Sequence, residues 1–177
     1  MRGNNRTHRM RGYNRNHRGR SNKDKNLEII QCNCRSIDTP GRQDELKETI
    51  DKNRPHLACL SETWRKPEMD HAKPIEFKGY NIIRKDRLQR RGGGIMFLIR
   101  EDINFQHVKI NEIQNSPIEA DAIEITLAHD RVRILNIYNP VTSINIDHLD
   151  HLINQLGRKY IVVGDFNGHH TLWDPEI

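Results

Sequence analysis

The most informative segment for the fold of this chain is YIVVGDFNGHH, at residues 160–170. Residues 160–164 form an apolar run of the length expected for a buried strand, and Asp165 and Asn167 follow it directly. An Asp-x-Asn sequence after a strand is commonly only a turn. This one is informative because other polar residues stand at the ends of apolar segments elsewhere in the chain.

Asn33, Glu62 and Tyr138 each lie at the end of a short apolar segment, as Asp165 and Asn167 do. In layered α/β proteins, groups at strand ends gather in one crevice. Glu62 and Asp165 are hard oxygen donors of the kind that Mg²⁺ prefers, the two asparagines can orient a carboxylate or a water, and Tyr138 can donate to a phosphate. Such a set suits phosphodiester hydrolysis, which depends mainly on positioning and positive charge. Taken singly, each residue also fits an ordinary solvent-exposed position.

From residue 27 onward the chain alternates short apolar segments with turn signals. Strands are predicted at residues 27–33, 56–61, 80–84, 94–100, 123–127, 132–138 and 160–164. One helix is predicted to open at Thr39-Pro40, with proline in its first position, and a second to be capped by Asp147. Many strands and few helices predict an α/β sandwich with helices outside two sheets.

Composition restricts the class of protein. The 177 residues suit one domain, and neither a membrane-spanning run of about 20 apolar residues nor the pattern of a secretory signal is visible. Three cysteines, an odd number in a chain without that signal, predict reduced thiols in an intracellular protein. Cys32 and Cys34 flank Asn33, but no second pair lies at zinc spacing, so core packing is predicted for both.

Residues 1–26 are predicted to be a disordered basic tail, because they hold too little apolar surface to order. Seven arginines and two lysines against Asp24 give them a net charge of +8, so residues 27–177 carry −3 of the chain's +5. A short repeat relates residues 5–11 to residues 14–20. Two interpretations stay open: a merely solvated extension, or an arm that binds the phosphate backbone of DNA or RNA. The candidate contacts are Arg6, Arg9, Arg11, Arg15, Arg18 and Arg20.

Five short motifs contain the candidate residues or lie between them. They are QCNCRS at 31–36, LSETW at 60–64, RGGGI at 91–95, NIYNP at 136–140 and VGDFNGHH at 163–170, with Trp173 just after. This ordered series resembles the endonuclease/exonuclease/phosphatase superfamily, typified by DNase I and the apurinic endonucleases. The spelling of SETW and GDFNxHHxxW is similar to the branch carried by non-LTR retrotransposons of animals. The resemblance covers residues 27–177.

The resemblance implies a four-layer α-β-β-α sandwich with two mainly antiparallel sheets, and Mg²⁺-dependent phosphodiester hydrolysis, with Mn²⁺ as a substitute. It implies that Asn33 and Glu62 form the metal-site pair, with Glu62 the direct ligand. Tyr138 would contact the phosphate, Asp165 would orient the attacking water, and Asn167 would steady the transition state. It further implies a DNA-nicking enzyme, fused to a reverse transcriptase in the full element and acting in the nucleus.

The family's pattern closes with another aspartate and then an Asp-His pair, and the chain ends at Ile177 before either. We therefore expect a partial domain, incomplete at its C-terminus. His169 and His170 are not expected to replace the later histidine, because the family has them inside the GDFN motif as well. Two hypotheses follow: a retrotransposon endonuclease, or an inactive truncated remnant that at most binds nucleic acid through its tail.

Overall fold

The computed structural model describes residues 26–72, 74–88, 91–127, 130–141 and 143–168. All but the last residue of the basic tail lie outside these ranges, as do His169, His170 and Trp173 of the last motif. No helix within the described ranges is long and apolar enough to cross a bilayer.

Strands dominate the described part of the chain. In chain order the elements are β1 (Ile29–Asn33), α1 (Arg42–Asn53), β2 (Leu57–Ser61), a 3₁₀ turn (Pro67–Met69), β3 (Tyr80–Lys85), β4 (Ile95–Arg100), β5 (Asn104–Val108), β6 (Glu119–Leu127), β7 (Asp130–Tyr138), α2 (Ile146–Ile153) and β8 (Tyr160–Asp165). Each strand predicted from the sequence is present, with its ends shifted by a few residues.

The strands form two sheets of four, in the orders β1-β2-β4-β3 and β5-β6-β7-β8. In each sheet one pair is parallel, β1 with β2 and β7 with β8. The other four pairs are antiparallel. The prediction of two mainly antiparallel sheets is therefore confirmed.

The two sheets pack face to face, and one helix covers each outer face. Leu57 of β2 and Ile123 of β6 belong to the apolar cluster between the sheets. On the outside of the first sheet, Ile50 of α1 packs with strand residues, and on the outside of the second, Leu152 of α2 does so. The order helix, sheet, sheet, helix confirms the four-layer sandwich. Because β2 and β4 are buried on both faces, they read as continuous apolar runs rather than as alternating ones.

Both helices begin at residues other than those predicted. α1 starts at Arg42, after Gly41, whose φ of 83° breaks the helical path that Pro40 was expected to open. In α2 the capping residue is Asn145, whose side chain accepts a hydrogen bond from the His148 backbone N–H at 3.2 Å. Asp147 lies in the first turn of α2 instead of at the cap, where its charge still favours the helix dipole.

One strand has no counterpart in the sequence prediction. β5 (Asn104–Val108) pairs with β6 along the edge of the second sheet, and three of its five residues are exposed. An edge strand of this composition lacks the apolar run by which the others were found. β6 also begins four residues before the predicted strand, because its first half, Glu-Ala-Asp-Ala, carries no large apolar side chain.

Candidate active site

The strand ends that carry the candidate residues meet at one end of the sandwich. The parallel ladder of β1 and β2 ends on the pair Asn33 and Ser61, which places Asn33 beside the residue before Glu62. The parallel ladder of β7 and β8 ends on the pair Tyr138 and Asp165. Two parallel pairs, one in each sheet, therefore deliver the candidate side chains to the same edge.

Asn33 connects the two candidate carboxylates directly. Its side-chain Nδ2 donates to Glu62 Oε1 at 3.0 Å and to Asp165 Oδ2 at 2.6 Å. Its Oδ1 accepts a hydrogen bond from the Arg35 backbone N–H at 3.1 Å, which fixes the orientation of the amide. Two carboxylates from different sheets therefore converge on a single amide group.

Tyr138 donates its hydroxyl proton to the same oxygen of Glu62, at 2.9 Å. Burial raises the pKa of the Tyr138 hydroxyl above its ordinary value, and the hydrogen bond to Glu62 raises it further. The phenol consequently stays protonated at neutral pH and can act as a hydrogen-bond donor there.

Asn167 is held beside Asp165 by the turn that follows β8. Its backbone N–H donates to Asp165 Oδ1 at 3.1 Å, and its Nδ2 donates to the Asn139 carbonyl at 2.7 Å. Asn167 has a φ of 45°, a left-handed conformation that asparagine tolerates better than most residues. All five candidate residues are thus brought together.

Asn139 is a residue of the site to which the sequence assigned no role. It is fully buried, its backbone N–H donates to the Asp165 carbonyl at 2.8 Å, and its Nδ2 donates to the carbonyls of Val141 and Phe166. It therefore ties the end of β7 to the end of β8. Its only signal in the sequence is its place next to Tyr138.

The segment after β2 is held in an unusual backbone conformation. Glu62 and Trp64 have φ values of 51° and 58°, which cost free energy for residues other than glycine. Neighbouring backbone groups hold the segment: the Glu62 carbonyl accepts from the Ser36 N–H at 2.9 Å, and the Trp64 N–H donates to the Gly93 carbonyl at 2.9 Å. Strain that the surroundings maintain in this way is typical of functional sites.

The donor set fits a hard divalent cation. Glu62 and Asp165 offer carboxylate oxygens at one position, and Mg²⁺ usually takes one or two carboxylates and completes its shell with water and phosphate. Within the described residues, no group of three or more His, Cys, Asp or Glu side chains is placed to hold a metal. Cys34 lies instead in the core beneath α1, with Cys32 packed against the same cluster, which confirms their predicted packing role.

Comparison with known proteins supports the same fold. The model of the Endonuclease/Exonuclease/phosphatase family matches residues 30–177. Similar structures include the endonuclease domain of TRAS1, a telomere-specific non-LTR retrotransposon (13% identity over 83% of this chain and 63% of that one, TM-score 0.59). They also include the AP endonuclease LMAP of Leishmania major (13% identity over 78% and 54%, TM-score 0.60). A third is D. rerio TDP2 complexed with a single-strand DNA product (16% identity over 82% and 62%, TM-score 0.58). The chain thus spans between half and two thirds of the length of these structures.

Proposed function

The chain belongs to the endonuclease/exonuclease/phosphatase family, and on that premise we propose that its site hydrolyses phosphodiester bonds of DNA with the help of Mg²⁺, or of Mn²⁺ in its place. The observation that carries the proposal is the position of the Asn33 amide between the carboxylates of Glu62 and Asp165. Such a convergence of oxygen donors at strand ends from two sheets fits a cation and a phosphate better than it fits packing.

Each residue then has a distinct task. Glu62 is the direct carboxylate ligand and Asn33 completes the metal-site pair, while Asp165 orients the water that attacks phosphorus. Tyr138 passes its hydrogen bond from Glu62 to a phosphate oxygen. Asn167 Nδ2 donates one hydrogen to the Asn139 carbonyl, and its second hydrogen steadies the charge that develops on the phosphate. The bound cation would supply positive charge at the phosphate and favour ionisation of the water.

The substrate we propose is double-stranded DNA, nicked in one strand by a non-LTR retrotransposon endonuclease. The spelling SETW at 61–64 and GDFNGHH at 164–170 supports this narrower assignment, as does the likeness to the TRAS1 domain. In that role the chain would act in the nucleus, as part of an element that also encodes a reverse transcriptase. An inactive remnant is not favoured, because the hydrogen bonds among the five candidate residues are all in place.

The proposal is tested by conversion of supercoiled plasmid to open circles. The assay uses the protein encoded by the natural reading frame that contains residues 1–177, and it is run with Mg²⁺, with Mn²⁺ and with EDTA. We expect nicking with either cation and none in EDTA. A minimal aryl phosphodiester and an inositol phosphate serve as competing substrate classes. Turnover of the inositol phosphate alone would overturn the assignment to DNA, and turnover in EDTA would overturn the role of the metal.

Replacing Tyr138 by phenylalanine tests the phosphate contact separately from the metal site. The change removes only the hydroxyl that donates to Glu62, so the ring and its packing remain. We expect the nicking rate to fall by about 10²-fold, because one preorganised donor to the phosphate is lost, while Mg²⁺ affinity measured by calorimetry stays close to wild type. A rate within about threefold of wild type would mean that the hydroxyl plays no part in the reaction.

The arm interpretation of the basic tail makes a prediction about salt. Deleting residues 1–26, with their net charge of +8, should flatten the dependence of DNA affinity on salt, since each phosphate contact adds about 0.9 to the logarithmic slope. Nicking at saturating DNA should be unchanged. A tail of full length in which Arg6, Arg9, Arg11, Arg15, Arg18 and Arg20 are replaced by glutamine separates charge from length. If the slope is the same with and without the tail, it is not an arm.

A further inference from the structure

Arg87 lies beside the candidate active site and has no assigned role. It follows β3 by two residues, at the end of the sandwich where the candidate residues meet. Its guanidinium carbon lies 5.6 Å from the centre of the Tyr138 ring, and its side chain is only 13% exposed. A guanidinium over the face of a tyrosine ring is attracted to it electrostatically, more strongly when the pair is buried.

The hydrogen bonds of Arg87 are only partly satisfied. Its Nε pairs with Glu119 Oε1, and the other oxygen of Glu119 accepts from the Gly94 backbone N–H at 2.6 Å. Its Nη2 is buried and has no acceptor among the described residues. A buried donor of a charged group without an acceptor is costly, and such a group in a candidate site calls for an explanation.

The guanidinium is also closely surrounded. A Cβ built on Gly93 would lie 2.3 Å from Arg87 Cζ and 2.6 Å from Nη2, so a glycine at this position leaves the space that the guanidinium occupies. The groups that surround it are Tyr138, Glu119 and Gly93. Nη2 is covered in this arrangement, and a small movement of the side chain is needed to expose it.

We propose that Arg87 is a further phosphate-binding residue: its guanidinium shifts when the substrate binds, which uncovers Nη2, and Nη2 then donates to a non-bridging oxygen of the same substrate phosphate that Tyr138 contacts. This inference rests on the proposed function. Guanidinium donors bind phosphate oxygens with charge-assisted hydrogen bonds. Glu119 is a positioning residue in this account, because it holds Nε and leaves Nη2 for the substrate.

A purely structural role for Arg87 is the alternative. Arg87 and Glu119 would then only tie the end of β3 to the triple glycine, since Glu119 bonds both Arg87 Nε and the Gly94 N–H. The two roles predict different responses to the charge of one phosphate. A structural residue affects all substrates equally, whereas a phosphate ligand loses its effect when that phosphate is neutral.

The experiment is a double-mutant cycle in which one change is made in the protein and the other in the DNA. The major nick position is mapped first, and duplex oligonucleotides are made with either a normal phosphate or a neutral methylphosphonate there. Binding is measured with Ca²⁺ in place of Mg²⁺, under conditions checked for the absence of cleavage. The proteins compared are wild type, Arg87→Gln and Arg87→Lys. Arg54→Gln is the matched control, because Arg54 also lies over a tyrosine ring, 5.8 Å from the centre of Tyr80, at the opposite end of the first sheet.

We expect Arg87→Gln to weaken binding of the normal duplex by about tenfold or more and to reduce the salt slope by about 0.9. It should bind the methylphosphonate duplex almost as well as wild type does. Arg87→Lys keeps the charge but loses the planar set of guanidinium donors, so its affinity for the normal duplex should lie between those of wild type and Arg87→Gln. It also serves if Arg87→Gln does not fold. Arg54→Gln should match wild type on both duplexes. Equal losses on both duplexes would overturn the proposal and leave the structural role.

Failure of the proposed function would look different. If no nick position can be mapped, the proposed function fails, and the role of Arg87 is then tested separately with inorganic phosphate as the probe. Calorimetric titration should show weaker phosphate binding by Arg87→Gln than by wild type and Arg54→Gln. Identical phosphate binding by all three proteins would reject the role of Arg87 as well.

Discussion

Glu62→Gln and Asp165→Asn are each expected to lower Mg²⁺-dependent nicking by about 10³-fold or more. Both changes keep the shape of the side chain and remove its charge. Each carboxylate accepts from the Asn33 amide, and Glu62 also accepts from Tyr138, so the four groups form one hydrogen-bonded unit. Groups that act as a unit show non-additive losses, and the double variant should therefore be hardly slower than either single one.

Asp102→Asn is the matched control for this pair. Asp102 also follows a strand and pairs with a neighbour, Arg100, whose Nε lies 2.6 Å from it, but it lies at the end of the sandwich opposite the site. Its nicking rate should equal that of wild type. Calorimetry adds a second readout, since Glu62→Gln should lose Mg²⁺ affinity at the site. Unimpaired nicking by Glu62→Gln would overturn the assignment of the metal site.

The strand pairing explains why the sequence alone could predict that the five candidate residues lie together at one edge. Asn33 and Tyr138 end strands that pair in parallel with β2 and β8, so their neighbours in space are the residues at the ends of those partners. Parallel pairing aligns carboxyl ends at one edge. A polar residue after an apolar run is therefore enough to place a side chain at that edge, without knowledge of side-chain contacts.

The surrounding residues could not be predicted in this way. The contact of Arg87 with Tyr138 joins the first sheet to the second, and no sequence periodicity reports how two sheets face each other. Glu119 lies at the start of β6, in a stretch without the alternation that marked the rest of that strand. Asn139 acts through its side-chain bonds to backbone carbonyls, which depend on the course of two turns. In each case the decisive contact is tertiary, whereas strand ends are local.

Gly164→Ala is expected to have the largest effect on stability, although it adds only a methyl group. Gly164 lies in β8 opposite Ile137 of β7, with a φ of 151°, and a Cβ there would lie 1.9 Å from the Ile137 carbonyl oxygen and 2.8 Å from its nitrogen. These are backbone atoms of the neighbouring strand, so no side chain can move aside. We expect the free energy of unfolding to fall by roughly 3 kcal/mol or more, combining backbone strain with overpacking.

The same clash should reach the site, because the next pair in the ladder is Tyr138 with Asp165. Pushing β8 away from β7 would separate Asp165 from Asn33, now 2.6 Å from it, so nicking should fall together with stability. Unfolding in urea, followed by far-UV circular dichroism, gives the free energy. Gly168→Ala is the control, since a Cβ there meets nothing within 4 Å, and its stability should stay within about 0.5 kcal/mol of wild type. If Gly164→Ala unfolds at the same urea concentration as Gly168→Ala, the close approach of β7 and β8 is not as the structure has it.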